Sequence, residues 1–508
     1  MTVVSSQWSV VRSQKKKRYL FFCFLLFTFH FSLFTNNSWA VHPVRKEAPK
    51  GFTTPSRLSN GVHPSKLKFE PLEFNPPQSE VVLLNNGIIL HMIEDHELPT
   101  IDMTAVIRTG SVYEPEDKIG LAGMAGTVMR TGGTTNMKGE EINETLEFIA
   151  GSVEIGIGGE SGTASMSVMK KDIDTGLKIF ADVLMNPAFS EEKLEMEKQK
   201  AIESIKRQND DPSNIARREF RKSVYGSHPF GRFPTIDTIN RIKREDLVRF
   251  HKQYFKPNNV IMGVTGDFDK EEIIKKIEEA FKDWKFEDVD FPKVPKVKEV
   301  YEKSINYAFK NTNQSVIRMG HLGIKQDNPD YYAVMVMDDI LGGGGFTSRL
   351  MKEVRSDRGL AYSVWSSFVV GKFDLGLFAA GCETKAESTG EVITLMKNII
   401  EKMGESPVSD EELKIAKESI INSFIFGFTS NLQVLNQRIN VQYYNLPPDY
   451  LEKYRDNIAK ITKDDVLRVA KKYLHPDKLT FVVVGDDKKF DKPLSEFGDV
   501  RKIELEKI

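Results

Sequence analysis

Beyond residue 80, runs of alternating apolar and polar positions interchange with amphipathic stretches. VVLLNNGIILHMIED, residues 81–95, sets two alternating runs around Asn86-Gly87, the strongest short hairpin signal in the chain. IDMTAVIRTGSVYE and GTASMSVM predict further strands. Helical periodicity predicts helices over about 172–185, 190–208 and 244–254, the last leading into the strand VIMGVTG. Another amphipathic helix should begin at GLAGMAGTVMRTGGT, 120–134, but Gly120, Gly123 and Gly126 leave one of its faces without side chains. Each glycine within a helix costs about 1 kcal/mol relative to alanine, so that bare face needs a reason.

The pattern repeats. DLVRFHKQYFKPNNVIMGVTGDF begins at Asp246 and DVLRVAKKYLHPDKLTFVVVGDD at Asp465, so that Pro257 answers to Pro476 and Gly266 to Gly485, each 219 residues on. The same spacing maps Ser190 onto Ser409 and Leu194 onto Leu413. Both serines open acidic helix starts, SEEKL and SDEEL, that read as serine N-caps. A constant spacing over so many positions predicts one domain duplicated in tandem. The predicted fold class is α+β: two homologous domains, each a largely antiparallel sheet covered by helices on one face. The expected boundaries are 78–285 and 299–500, with a charged, proline-bearing linker at 286–298, an extended arm at 41–77 and a tail at 501–508.

Composition adds compartment and partners. Lys15–Arg18 precede the apolar run 19–34 and a small-residue ending at Ala40, which predicts a secretory signal over residues 1–40, cleaved or kept as an anchor. Those residues hold five basic and no acidic side chains, so their removal takes the net charge from −1 to −6. No basic stripe remains for nucleic acid, and no membrane association is expected after cleavage. Of the two cysteines only Cys382 then remains, which excludes an internal disulfide. A Gram-negative periplasm fits.

With these motifs in order, the chain resembles the pitrilysin/insulysin family of inverzincin metallopeptidases, in its two-domain, processing-peptidase-like branch. The resemblance covers about residues 78–490. Active members carry H-x-x-E-H on the first-domain helix: two histidines that bind zinc and a glutamate that activates water. Laid on this chain, those positions are Gly123, Gly126 and Thr127, and the later glutamate ligand falls on Ser204. Glu197, one heptad earlier, still matches an acidic position. The bare face is therefore where the family's zinc site would be, with all three ligand positions and the base gone. No zinc is expected in this chain. None of the nine histidines forms an i, i+4 pair. HMIEDH, His91–His96, is expected to be a solvated strand end and not a metal site.

The second domain holds a positive signal, LGGGGFTSRLMKEVRSDRGLAYSVWSSF. Gly342, Gly343, Gly344 and Gly345 allow close backbone approach to a substrate or partner, and the resemblance places substrate handling there. Arg355 and Tyr362 stand seven apart, where family enzymes bind the substrate's carbonyl groups and developing oxyanion. The alternative leaves Arg355 paired with Glu353 or Asp357 and Tyr362 in the core. The resemblance thus implies a zinc-free subunit, inactive alone, that lends Arg355 and Tyr362 in trans to a homologous partner bearing H-x-x-E-H and zinc. The substrates would be unfolded peptides. Two other readings stand beside it, a noncatalytic scaffold or peptide-binding pseudo-peptidase and an active peptidase with an unrecognised site.

Overall fold

The computed structural model describes residues 74–505, so the predicted signal and most of the arm lie outside the described residues. Two six-stranded sheets form the framework. The first is built from β1 (Glu80–Leu83), β2 (Ile89–Glu94), β3 (Thr100–Ile107), β4 (Ser152–Ile157), β5 (Gly162–Met169) and β6 (Val260–Gly266), in the order β1-β2-β6-β3-β5-β4. The second is built from β7 (Ser304–Phe309), β8 (Gln314–Leu322), β9 (Ala361–Val369), β10 (Leu377–Lys385), β11 (Thr480–Gly485) and β12 (Val500–Ile503), in the order β12-β7-β11-β8-β10-β9. Every pairing is antiparallel except β2 with β6, β7 with β11 and β7 with β12. The predicted hairpin is present, with Gly87 at φ 95° in its turn.

The duplication is visible element by element. The helix Arg244–Tyr254 answers to Lys463–Tyr473, and Glu191–Lys206 answers to Asp410–Ser423, at the spacing seen in the sequence. The caps of the latter pair differ. Ser409 forms a capping box with Glu412, whereas the Ser190 hydroxyl makes no cap bond. The third helical residue after Ser190 is Lys193, which pairs with Glu140 and has no carboxylate to reach back.

Helices cover both faces of each sheet, not the one face expected. On the inner face, apolar residues of each domain's own helices, such as Phe180 and Leu184, join the strands in one large core. The outer face is covered by a helix from the other domain. Pro212–Tyr225 lays Ile215, Ala216 and Phe220 on Ala308, Val316, Ala379, Val482 and Val484 of the second sheet. Its repeat counterpart, Asn431–Tyr443, lies on β2, β3 and β6 of the first. The fit depends on glycine: a Cβ at Gly263 would lie 1.9 Å from Leu435 Cδ2. The exchange also corrects the expectation for His91. Its ring is buried, with Nδ1 2.9 Å from Ser79 Oγ and Nε2 2.6 Å from Gln442 Oε1 on the exchanged helix. His96 is exposed and 2.7 Å from Asp267.

The chain ends also hold more structure than expected. Arg501–Ile503, expected as tail, belong to β12. The second domain has no hairpin strand ahead of β7, so the C-terminal residues cover the edge that β1 covers in the first. Residues 286–298 carry no helix or strand, yet Val297 is buried and its N–H donates to Asp374 Oδ2 at 2.9 Å. At the end of the predicted arm, Phe74 packs on Phe424 and Phe428, and Arg438 donates to the carbonyls of Pro76 and Pro77.

Candidate functional site

The first-domain helix spans Leu121–Thr131. Gly120, at φ 108°, begins it without a side-chain cap. A remote carboxylate caps it instead: Glu114 accepts from Gly120 N at 3.1 Å and Ala122 N at 2.7 Å. Glu114 is buried, and burial pushes its carboxyl up to about 7 against those N–H groups and Arg232, which favour the ionised form. Its neutral form therefore stabilises the fold fully below the unfolded value near 4.5, and that contribution is lost as pH rises through about 7. From pH 5 to pH 8, melting of wild type and Glu114→Gln should diverge in the variant's favour by on the order of 2 kcal/mol. Parallel profiles would exclude this role.

The three glycine or threonine motif positions have different surroundings. A Cβ at Gly123 would meet nothing within 4 Å, whereas one at Gly126 would lie 2.9 Å from the Ile157 amide nitrogen of β4. Thr127 is half-buried and turns its hydroxyl back to the Gly123 carbonyl at 3.2 Å. Ser204 is exposed, and half-buried Glu197 is paired with Lys200. Two of the four positions are glycines with no donor atom, and hydroxyls are poor zinc ligands beside imidazole and carboxylate. The donor set does not fit zinc. Among the described residues no group of three or more His, Cys, Asp or Glu is placed to hold a metal. Substituting back cannot simply rebuild the motif, because a glutamate at 126 would run into the backbone of β4. Alanine should expose this asymmetry. Gly123→Ala should stabilise the chain by about 0.5–1 kcal/mol, and Gly126→Ala should destabilise it by about 1–3 kcal/mol. Chemical denaturation of the two variants reads both signs.

In the second domain the glycine run lies at a turn of wide helix. A π-helical stretch, Asp339–Gly343, leads into it, and another, Met351–Asp357, carries Arg355. A Cβ at Gly342 would lie 2.3 Å from the Ser366 amide nitrogen, so this glycine lets the turn approach β9. Asp338 fastens the contact, accepting from Ser366 Oγ at 2.6 Å and Phe368 N at 3.0 Å. Gly343 is exposed, Gly344 is half-buried against Asp339, and Gly345 stands at φ 61° with open space around it. β9, the edge strand, is fixed in this way, and its register against β10 shifts between Cys382 and Thr384, opposite Tyr362 and Ser363. Bulges of this kind re-aim side chains at strand edges.

Tyr362 is 83% exposed. The Arg355 guanidinium carbon lies 4.4 Å from its ring centroid and 4.8 Å from that of Phe346, itself 67% exposed. Neither Glu353 nor Asp357 pairs with Arg355, and no carboxylate lies within ion-pair distance of it among the described residues. An unpaired guanidinium held between two exposed aromatic rings offers N–H donors to a carbonyl or an oxyanion. No hydrogen bond, ion pair or ring contact among the described residues joins this cluster to Gly123, Gly126, Thr127 or Ser204. Sequence reasoning missed Glu114 and Phe346. GGGGFTSR carries Phe346 beside the glycines, but nothing in the string places it over Arg355.

This architecture defines a class: a two-domain chain of duplicated six-stranded sheets that, among the described residues, offers no group of side chains to hold a metal. Residues 92–235 match the family model described as insulinase, peptidase family M16, and residues 241–420 match the peptidase M16 inactive domain. The chain belongs to the peptidase M16 family, and the family's inactive-domain model is the one its second half matches. It is 25% identical over 413 residues to an uncharacterized zinc protease of Rickettsia bellii, covering 79% of this chain and 96% of that one. It is likewise 25% identical over 405 residues to the non-peptidase homolog YmxG of Helicobacter pylori, covering 78% and 91%. The crystal structure of a peptidase M16 inactive domain from Pseudomonas fluorescens superposes with a TM-score of 0.74 at 25% identity, covering 82% of this chain and all of the other. Among the described residues no helix is long and apolar enough to cross a membrane.

Proposed function

We propose that this chain is the zinc-free subunit of a heterodimeric zinc metallopeptidase. It has no peptidase activity alone. Its partner is a homologue that carries H-x-x-E-H and zinc, and the two enclose unfolded peptides. Residues 299–500 supply Arg355 and Tyr362 across the interface, where guanidinium and phenol donors bind the scissile carbonyl and stabilise the oxyanion. The turn Gly342–Gly345 borders the same substrate. Residues 1–40 export the chain, and the pair works in the periplasm.

One observation carries this reading. The four zinc-site positions hold no imidazole or carboxylate, yet half-buried Arg355 and exposed Tyr362 stand together, with no neutralising carboxylate on the guanidinium among the described residues. A guanidinium stacked on rings and without an ion pair keeps its N–H donors available to a bound carbonyl.

The test is cleavage of an unstructured fluorogenic peptide by the mature chain alone, by an H-x-x-E-H homologue alone and by the mixture, with chelator controls. The expected result is an inert chain and a chelator-sensitive rate in the mixture well above that of the homologue. Binding of the two chains without any gain in rate would favour the noncatalytic scaffold.

A further inference from the structure

Beside Tyr362, on the outer face of the second sheet, lies a cavity of about 430 Å³ whose lining includes Ser213, Arg318, Tyr362, Trp365, Glu383 and Lys385. Its floor is set by strand register. Trp365 of β9 and Arg318 of β8 both stand opposite Gly381 of β10. Because Gly381 has no side chain, the indole lies over it: a Cβ there would be 3.1 Å from Trp365 Cζ2. The Arg318 guanidinium carbon sits 5.0 Å from the Trp365 ring.

Arg318 is the unusual member. Its Nε is buried, and among the described residues it has no hydrogen-bond partner and no carboxylate lies within ion-pair distance of the guanidinium. Burial and the neighbouring Arg217 both push its pKa down, and Glu383 only partly opposes them. Glu383 is engaged elsewhere, accepting from the Ser213 hydroxyl. A buried donor left without an acceptor costs about 1–3 kcal/mol, and such orphans in native structures call for a ligand or a water. The charges facing the cavity are Arg318 and Lys385 against Glu383, a positive balance.

We propose that this cavity is a carboxylate subsite for the bound peptide, with Arg318 as its anchor and the Trp365 ring as its wall. The planar fork of a guanidinium matches one carboxylate. The carboxylate is either the peptide's C-terminus or an Asp or Glu side chain. The proposal rests on the reading that the chain binds peptides. It places a selective pocket next to Tyr362, so that the peptide is held by charge on one side of the donors that grip its carbonyl.

Isothermal titration calorimetry of the mature chain tests it with three unstructured decapeptides: one with neutral side chains and a free C-terminus, its C-terminal amide, and the amide with one internal glutamate. At least one carboxylate-bearing peptide should bind tenfold or more tightly than the neutral amide. Arg318→Gln should reduce it to the amide's level, and Arg318→Lys should restore it in part. Preference for the free C-terminus or for the glutamate names the source of the carboxylate. Equal binding of all three peptides by wild type, a measurement that needs no variant, overturns the proposal, as does binding of none. So does a folded Arg318→Gln that keeps the preference. These outcomes leave the trans-acting role of Arg355 untouched, because that role is read from the cleavage rate of the mixture.

Discussion

Arg355→Ala should lower the peptidase rate of the mixed pair by roughly 10²–10³-fold, the usual effect of removing one oxyanion donor. Assembly of the two chains and the zinc content of the partner should not change. The loss should appear in kcat, because the donor bonds best to the charge that develops in the transition state. Arg355→Lys should recover only part of it. A lysine keeps the charge but loses the planar fork, and the stack between Phe346 and Tyr362 was built around a flat cation. Steady-state kinetics of the reconstituted pair, with gel filtration to confirm the complex, decides the matter. An unchanged rate with Arg355→Ala would make the stack a surface feature and the trans-acting reading wrong.

The second large effect concerns the exchanged helices. Leu435→Ala should destabilise the chain by about 3–5 kcal/mol, at the high end for a leucine truncation. Leu435 is fully buried in the gap left by Gly263, and the glycine directly beneath it has no side chain to move into the cavity. Urea unfolding should show a lower midpoint with the same slope. A loss under about 1 kcal/mol would mean that the helix does not sit on the first sheet as described.

The sequence made the duplication legible because both copies keep the residues that local geometry demands. The helix Arg244–Tyr254, the strand after it and the glycine that closes that strand recur intact in the second copy. The side-chain types at Gly123, Gly126, Thr127 and Ser204 were legible too, since the string alone shows that none is an imidazole or a carboxylate. The exchange of helices was not. Ile215 and Phe220 make a helix face that would suit the sheet of its own domain as well as the other, and periodicity names a face without naming its partner. For the same reason His91 looked solvated: what buries it is Gln442, more than three hundred residues away. Arg318 reads as an ordinary strand arginine, because its isolation comes from where Glu383 and Trp365 point.

The exchange also sets an order of events during synthesis. β6 is complete at Gly266, but the helix that covers its outer face begins at Asn431. At typical elongation rates that helix emerges roughly ten to thirty seconds later. Through that interval the outer face of the first sheet, with Gly263 and the buried His91 on it, lacks the helix that covers it in the finished chain. The first domain can gather its own core before then, but the seat of Leu435 over Gly263 forms only when the second half arrives. A chain stopped in the linker would be a sheet in search of a neighbour.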